Sequence, residues 1–127
     1  MKSTPLSEFI QTALDSLDLA VSIIDAGGTL LYYNRQAAAI LNRKPRFIGT
    51  DIHTHHQPPT NEKLDQMLAD FKSGRTAPIH YEARPYGKVI AVTLIPLIVN
   101  QQFVGCVQSV RLQSEPTSEK NSSTLND

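Results

Sequence analysis

The stretch Lys88-Val-Ile-Ala-Val-Thr-Leu-Ile-Pro96 limits the options of the chain more than any other. Successive side chains of a strand point to opposite faces. The run therefore splits into a row of Ile90, Val92, Leu94 and Pro96 and a row of Val89, Ala91, Thr93 and Ile95. Both rows are largely apolar, whereas a sheet with one wet face alternates apolar and polar residues. The segment is a central strand. Its second row either tolerates exposure or has a cover of its own.

Strand-like runs at 77–84 and 102–112 flank it, joined through turns at Pro85-Tyr-Gly87 and Asn100-Gln-Gln. Leu19 to Ile24 and Thr29 to Tyr33 form an earlier hairpin around Asp25-Ala-Gly-Gly28, where glycine can take positive φ. Elsewhere the period is helical. Leu6, Phe9, Ile10, Ala13, Leu14 and Leu17 make one apolar stripe over about 5–17, behind a capping Thr4 and Pro5. Asn34 caps a short helix through Leu41. The connection from Asn42 to Gly49 is broken by Pro45, and one short helical turn opens at Thr50 or Asp51. Thr60 caps a longer helix carrying Leu64, Met67, Leu68 and Phe71, with Glu62 in its first turn and Gly74 after its end. Two strands before the helices and three after them predict an α+β fold: one five-stranded antiparallel sheet with helices on one face and an N-terminal amphipathic helix. The expected division is 1–18 for that helix, 19–112 for the sheet domain and 113–127 for a disordered tail, whose composition buries too little to offset its ordering entropy.

Composition narrows function mainly by exclusion. Twelve cationic and twelve anionic residues cancel, so no bulk basic field draws nucleic acid or anionic lipid. Arg43, Lys44 and Arg46 read as a solvated face. The single Cys106 cannot form an internal disulfide, and on a strand it reads as a small buried apolar residue. There is no signal-peptide run and no window approaching the ~20 apolar residues of a membrane span, which predicts a cytoplasmic protein. No pattern of catalytic residues stands out, so an enzyme is not expected.

Chemistry-capable side chains crowd together in one place, Asp51-Ile-His-Thr-His-His-Gln-Pro-Pro59. His53, His55 and His56 are either polar residues on an exposed connection or part of a zinc site, which would need His80 or a carboxylate to complete four ligands.

In this order, the pieces resemble a PAS domain over roughly residues 8–112. The resemblance is carried by Val21-Ser-Ile-Ile-Asp25 with Gly28; by Tyr33-Asn-Arg35 with Ala37, Ala38 and Leu41; by Ile48-Gly-Thr-Asp51; by Lys88 to Pro96; and by Phe103-Val-Gly-Cys-Val107. The aspartate that usually closes the last strand is absent, the strand ending Val110-Arg-Leu112, and no output domain is expected after it. The resemblance implies a stand-alone sensory module rather than an enzyme, which binds a small ligand or cofactor between the sheet and the helices. Ile90, Val92 and Leu94 would then line the cavity. The N-terminal helix would cover the outer row, folded back on its own sheet or packed in a homodimer, and a separate signalling protein is the other partner expected. Haem-binding PAS sensors place a histidine where His56 stands, which makes His56 the leading axial-ligand candidate ahead of His55 and His53. Flavin is the lesser cofactor candidate. The light-sensing subgroup carries its reactive cysteine on a helix, whereas Cys106 lies in the last strand. The alternative is a cofactor-free interaction or dimerisation module.

Overall fold

The central run is a strand and lies one place in from a sheet edge. The computed structural model describes residues 5–55 and 58–114, with the side chains of residues 55, 58–60 and 114 left aside. The chain runs α1 (Leu6–Asp15), β1 (Ala20–Asp25), β2 (Leu30–Tyr33), α2 (Arg35–Leu41), α3 (Pro58–Lys72), β3 (Ile79–Ala83), β4 (Val89–Val99) and β5 (Gln102–Ser114), with 3-10 turns at Pro45–Phe47, Ile52–His55 and Pro85–Gly87. The sheet order is β2-β1-β5-β4-β3 and every pair is antiparallel. This is the α+β fold expected. Asn100 and Gln101 both take positive φ (51° and 67°), as a two-residue hairpin joining β4 to β5 requires. Gly105 sits where β5 crosses β1; a Cβ there would stand 2.3 Å from the Ile24 carbonyl oxygen.

The inner row is Ile90, Val92 and Leu94, each at most 2% exposed. It forms the floor of two apolar clusters. Ile24, Leu94 and Cys106 pack with Leu64, Leu68 and Phe71 of α3, and Ala20, Ile90, Val92 and Val110 pack under Ala37 of α2. Asn34 fixes α2. Its Oδ1 accepts from Ala37 N (3.0 Å) and Val21 N (2.9 Å), and its Nδ2 donates to the Leu14 (2.7 Å) and Leu19 (3.0 Å) carbonyls. One buried amide thus uses both its acceptor and both its donor positions to join α1, β1 and α2.

Several expectations need correction. The long helix begins at Pro58 rather than after a Thr60 cap, because proline is tolerated in a first turn whose N–H groups have no partner anyway. That moves Glu62 out of the first turn. β5 runs past residue 112 to Ser114. No residue of α1 is buried, and Leu6, Phe9 and Ile10 stand exposed, so α1 does not fold back over its own sheet. The Thr4 cap lies outside the described residues, as does the tail beyond Ser114. Among the described residues, no helix is long and apolar enough to cross a membrane.

Candidate ligand cavity

Between the inner face of the sheet and the chain leaving α2 lies a cavity of about 770 Å³. Its floor is Ile90 and Val92 of β4 with Tyr81 of β3; Phe47 and Leu41 form the opposite wall. Leu94, the third residue of the predicted row, lines an adjoining cavity of about 190 Å³ with Ile24, Ile52 and Met67, and the two cavities share Tyr81 and Gln108. The alternation that set the row also splits it. Leu94 lies one turn of pleat further along β4, beneath α3, with which it packs.

Arg43 faces the larger cavity. α2 ends on Asn42 in the left-handed conformation (φ 57°, ψ 32°), which turns the chain sharply. The next side chain is then carried inward, leaving Arg43 only 6% exposed. This overturns the solvated reading for Arg43, while Lys44 and Arg46 are exposed as expected. Arg43 Nη2 donates to Gln108 Oε1 at 3.1 Å, and the Tyr81 hydroxyl is hydrogen-bonded to the same glutamine. Gln108 lies opposite Ser22 on β1 and Leu94 on β4, so it belongs to the inner face. Ser22 and Gln108 interrupt apolar rows: Ala20, Ser22, Ile24 on one strand and Cys106, Gln108, Val110 on the other. They form a polar line between the two clusters. Two polar residues in phase with buried neighbours were the available sequence signal for this site. Arg43 itself gave none, because its burial depends on the turn at Asn42.

The histidines divide differently. His53 stands in the 3-10 turn Ile52–His55, which is tied to the hairpin turn of β1 and β2 by Ile52 N donating to Gly28 O (2.8 Å). Gly28 has φ +92°, and a Cβ there would lie 3.5 Å from the His53 ring. His53 Nδ1 contacts Asp51 Oδ1 and Nε2 contacts Asp65 Oδ1, both at 2.5 Å. Hydrogen bonds to Asp51 and then Asp65 raise its pKa above 6.5. Both ring nitrogens are therefore engaged. His80, on β3, bonds across the strand pair to Thr93 (3.0 Å) and does not join His53. Among the described residues no group of three or more His, Cys, Asp or Glu side chains forms a metal site. His56 and the side chain of His55 lie outside what the structure describes. Cys106 is fully buried, and burial pushes its thiol up to about 11, so it is no ready nucleophile.

The model of the PAS domain family matches residues 10–110. The chain belongs to the PAS domain family. Among solved structures it is similar to the PAS domain of a Colwellia psychrerythraea protein, at 18% identity over 86% of this chain and 98% of that one (TM-score 0.69). It is similar also to the PAS domain of BvgS from Bordetella pertussis, at 14% identity over 86% and 87% (TM-score 0.69). A third is the photoactive yellow protein domain of the sensor histidine kinase Ppr from Rhodospirillum centenum, at 21% identity over 80% and 91% (TM-score 0.64). At these identities the likeness is one of fold. No curated protein matches the sequence. PAS domains are typically sensory and signalling modules rather than catalysts. In this PAS domain the cavity over Ile90 and Val92 lies between sheet and helices, and its polar groups come from β3, β5 and the end of α2.

Proposed function

We propose that this PAS domain is a cytoplasmic sensor that binds a small molecule in the cavity over Ile90 and Val92, and that its occupancy is read out through α1 and the outer sheet face. The observation that carries this reading is the cavity itself. At about 770 Å³ it falls in the size range of small-molecule sites, and it pairs an apolar floor with a few convergent polar groups, Arg43, Tyr81 and Gln108.

Output is assigned to α1 and the outer row, in a homodimer or against a separate signalling protein. Leu6 and Phe9 on the helix and Ile95 on the sheet are exposed, which supports a contact that buries both. α1 (Leu6–Asp15) then acts as the coupling element of the sheet domain.

Haem does not suit the described residues. Among the described residues no histidine lines either cavity, and both nitrogens of His53 are held by carboxylates. His56 and His55 are carried forward only as sequence-based candidates, and non-covalent flavin has no specific group in its favour. The cofactor-free interaction module is the rival, and it differs in one measurable respect. A library of small neutral and charged compounds, screened by amide NMR shifts, is expected to yield binders that perturb Tyr81, Val92 and Gln108. The same compounds should fail to bind Ile90→Trp, which fills the cavity. Binding undiminished in Ile90→Trp, or no binder at all, would leave the interaction module. A dimer in solution that Phe9→Glu or Ile95→Glu dissociates supports the output surface; a monomer at high concentration refutes the dimer.

A further inference from the structure

Arg43 is a buried cation without a counter-ion among the described residues. Of its guanidinium, Nη2 bonds the neutral amide of Gln108, while Nε is buried with no acceptor. Among the described residues no Asp or Glu lines the larger cavity, whose other charged residues are Lys44 and Arg84, both cations. Arg84 is paired to Glu82 at 2.9 Å, and that pair is exposed. Ser22, opposite Gln108 in the β1–β5 pair, likewise has a buried hydroxyl with no partner. An arginine stays charged in proteins, so burying it among Ile90, Val92 and Phe47 without an anion is unfavourable. Burial lowers its pKa, which registers the same desolvation.

We infer that the cavity takes a small molecule bearing one carboxylate on an apolar body, with the carboxylate on the Arg43 guanidinium and the body against Ile90, Val92 and Phe47. This deepens the ligand-binding reading above and rests on it. The chemistry follows from the donors. A guanidinium presents parallel N–H groups whose spacing matches the two oxygens of a carboxylate. The Gln108 contact holds the plane of the group in place. The Tyr81 hydroxyl adds a neutral donor beside it. The apolar floor disfavours a ligand that is charged all round, which selects an organic acid over inorganic phosphate.

The test uses matched probes on the whole chain at constant ionic strength. Phenylacetate and hexanoate are titrated beside their amides, phenylacetamide and hexanamide, and beside inorganic phosphate, with amide NMR as the readout. The acids are expected to shift Tyr81, Val92 and Gln108 and to bind roughly 10- to 100-fold more tightly than the amides, the range for a hydrogen bond to a charged group. Arg43→Met should erase that preference, and Arg43→Lys should retain part of it. Equal binding of acid and amide, or a preference that survives Arg43→Met, overturns the inference while leaving a ligand cavity. Phosphate binding as tightly as phenylacetate overturns the choice of an organic acid. Binding by none of the probes overturns the inference, and the neutral-compound screen with Ile90→Trp then decides the ligand reading separately. One measurement needs no ligand. If Arg43 is kept for an anion, Arg43→Met leaves the urea midpoint unchanged or raised; a lowered midpoint makes Arg43 a structural residue and refutes the idea.

Discussion

At the N-terminal end of α2, Asn34 is 1% exposed and every hydrogen-bonding position of its amide is used. At the C-terminal end, Arg43 is nearly as buried, carries a full charge, and leaves Nε without an acceptor. A satisfied buried polar group fixes the fold, because each partner would be orphaned without it. An unsatisfied one adds nothing comparable to the isolated domain, so its place has to be explained by something the domain meets. The same seven-residue helix thus joins a structural end to a receptive one. A change at the receptive end has a short, stiff path to α1, since Asn34 holds the carbonyl of Leu14 and Asp15 Oδ1 accepts from Arg35 N at 2.9 Å.

The largest expected effect falls on the structural end. Asn34→Ala strands the Val21 and Ala37 N–H groups and the Leu14 and Leu19 carbonyls together. Urea denaturation should show a loss of roughly 3–4 kcal/mol, since each orphaned buried group costs about 1–3 kcal/mol and water relieves part of it. A loss below about 1 kcal/mol would erase the contrast. At the other end, Arg43→Met should lie between no change and a gain of roughly 2 kcal/mol, because an apolar side chain of similar length removes a desolvated charge. In the same assay only Asn34→Ala is expected to lose stability, and a loss in both variants breaks the comparison.

A smaller effect probes how Arg43 is delivered. Asn42 has φ 57°, a conformation glycine adopts without strain. Asn42→Gly should keep the turn and gain roughly 0.5 kcal/mol. Any acid selectivity should survive it, because the backbone path is unchanged. Asn42→Val should disfavour the turn, lower stability and abolish that selectivity, which places the receptive end under the control of one backbone torsion.

Much of the scaffold was legible from periodicity. Alternation separated the row Ile90, Val92, Leu94 from its neighbours, the resemblance to PAS domains placed it inward, where it lies buried, and Asn34 was recognisable as a cap from type and position. What was not legible depended on a turn or a register. Arg43 looked solvated among its basic neighbours because nothing local tells a cation above a core from one above water. Gln108 became informative only once β5 was placed between β1 and β4, which put it opposite both Ser22 and Leu94. The start of α3 at Pro58 was missed because a proline pair reads as a break, although the first helical turn has no use for those N–H groups. Of the two covers expected for the outer sheet face, α1 folded back within the chain is not the one observed, because an apolar stripe says only that a helix seeks a partner, not where the partner is.

His53 supplies an intermediate case, a satisfied polar group that is neither deeply buried nor fixed in charge. With carboxylates on both ring nitrogens, it bonds best as the imidazolium, and its pKa in the folded state lies above the 6.5 of the unfolded chain. The stabilisation it contributes is therefore complete below about pH 6.5 and is lost as pH rises through the higher folded-state value. Its partners are mostly exposed, Asp51 at 58% and Asp65 at 64% for their side chains, so the contribution should be only a few tenths of a kcal/mol and should shrink in high salt. The check is the stability gap between the wild type and His53→Gln in urea at pH 6 and at pH 9. The gap should be larger at pH 6, and 1 M salt should close most of it. A gap that grows with pH would mean that His53 acts as a neutral hydrogen-bonding group, and that the tie from the Ile52–His55 turn to α3 owes nothing to charge.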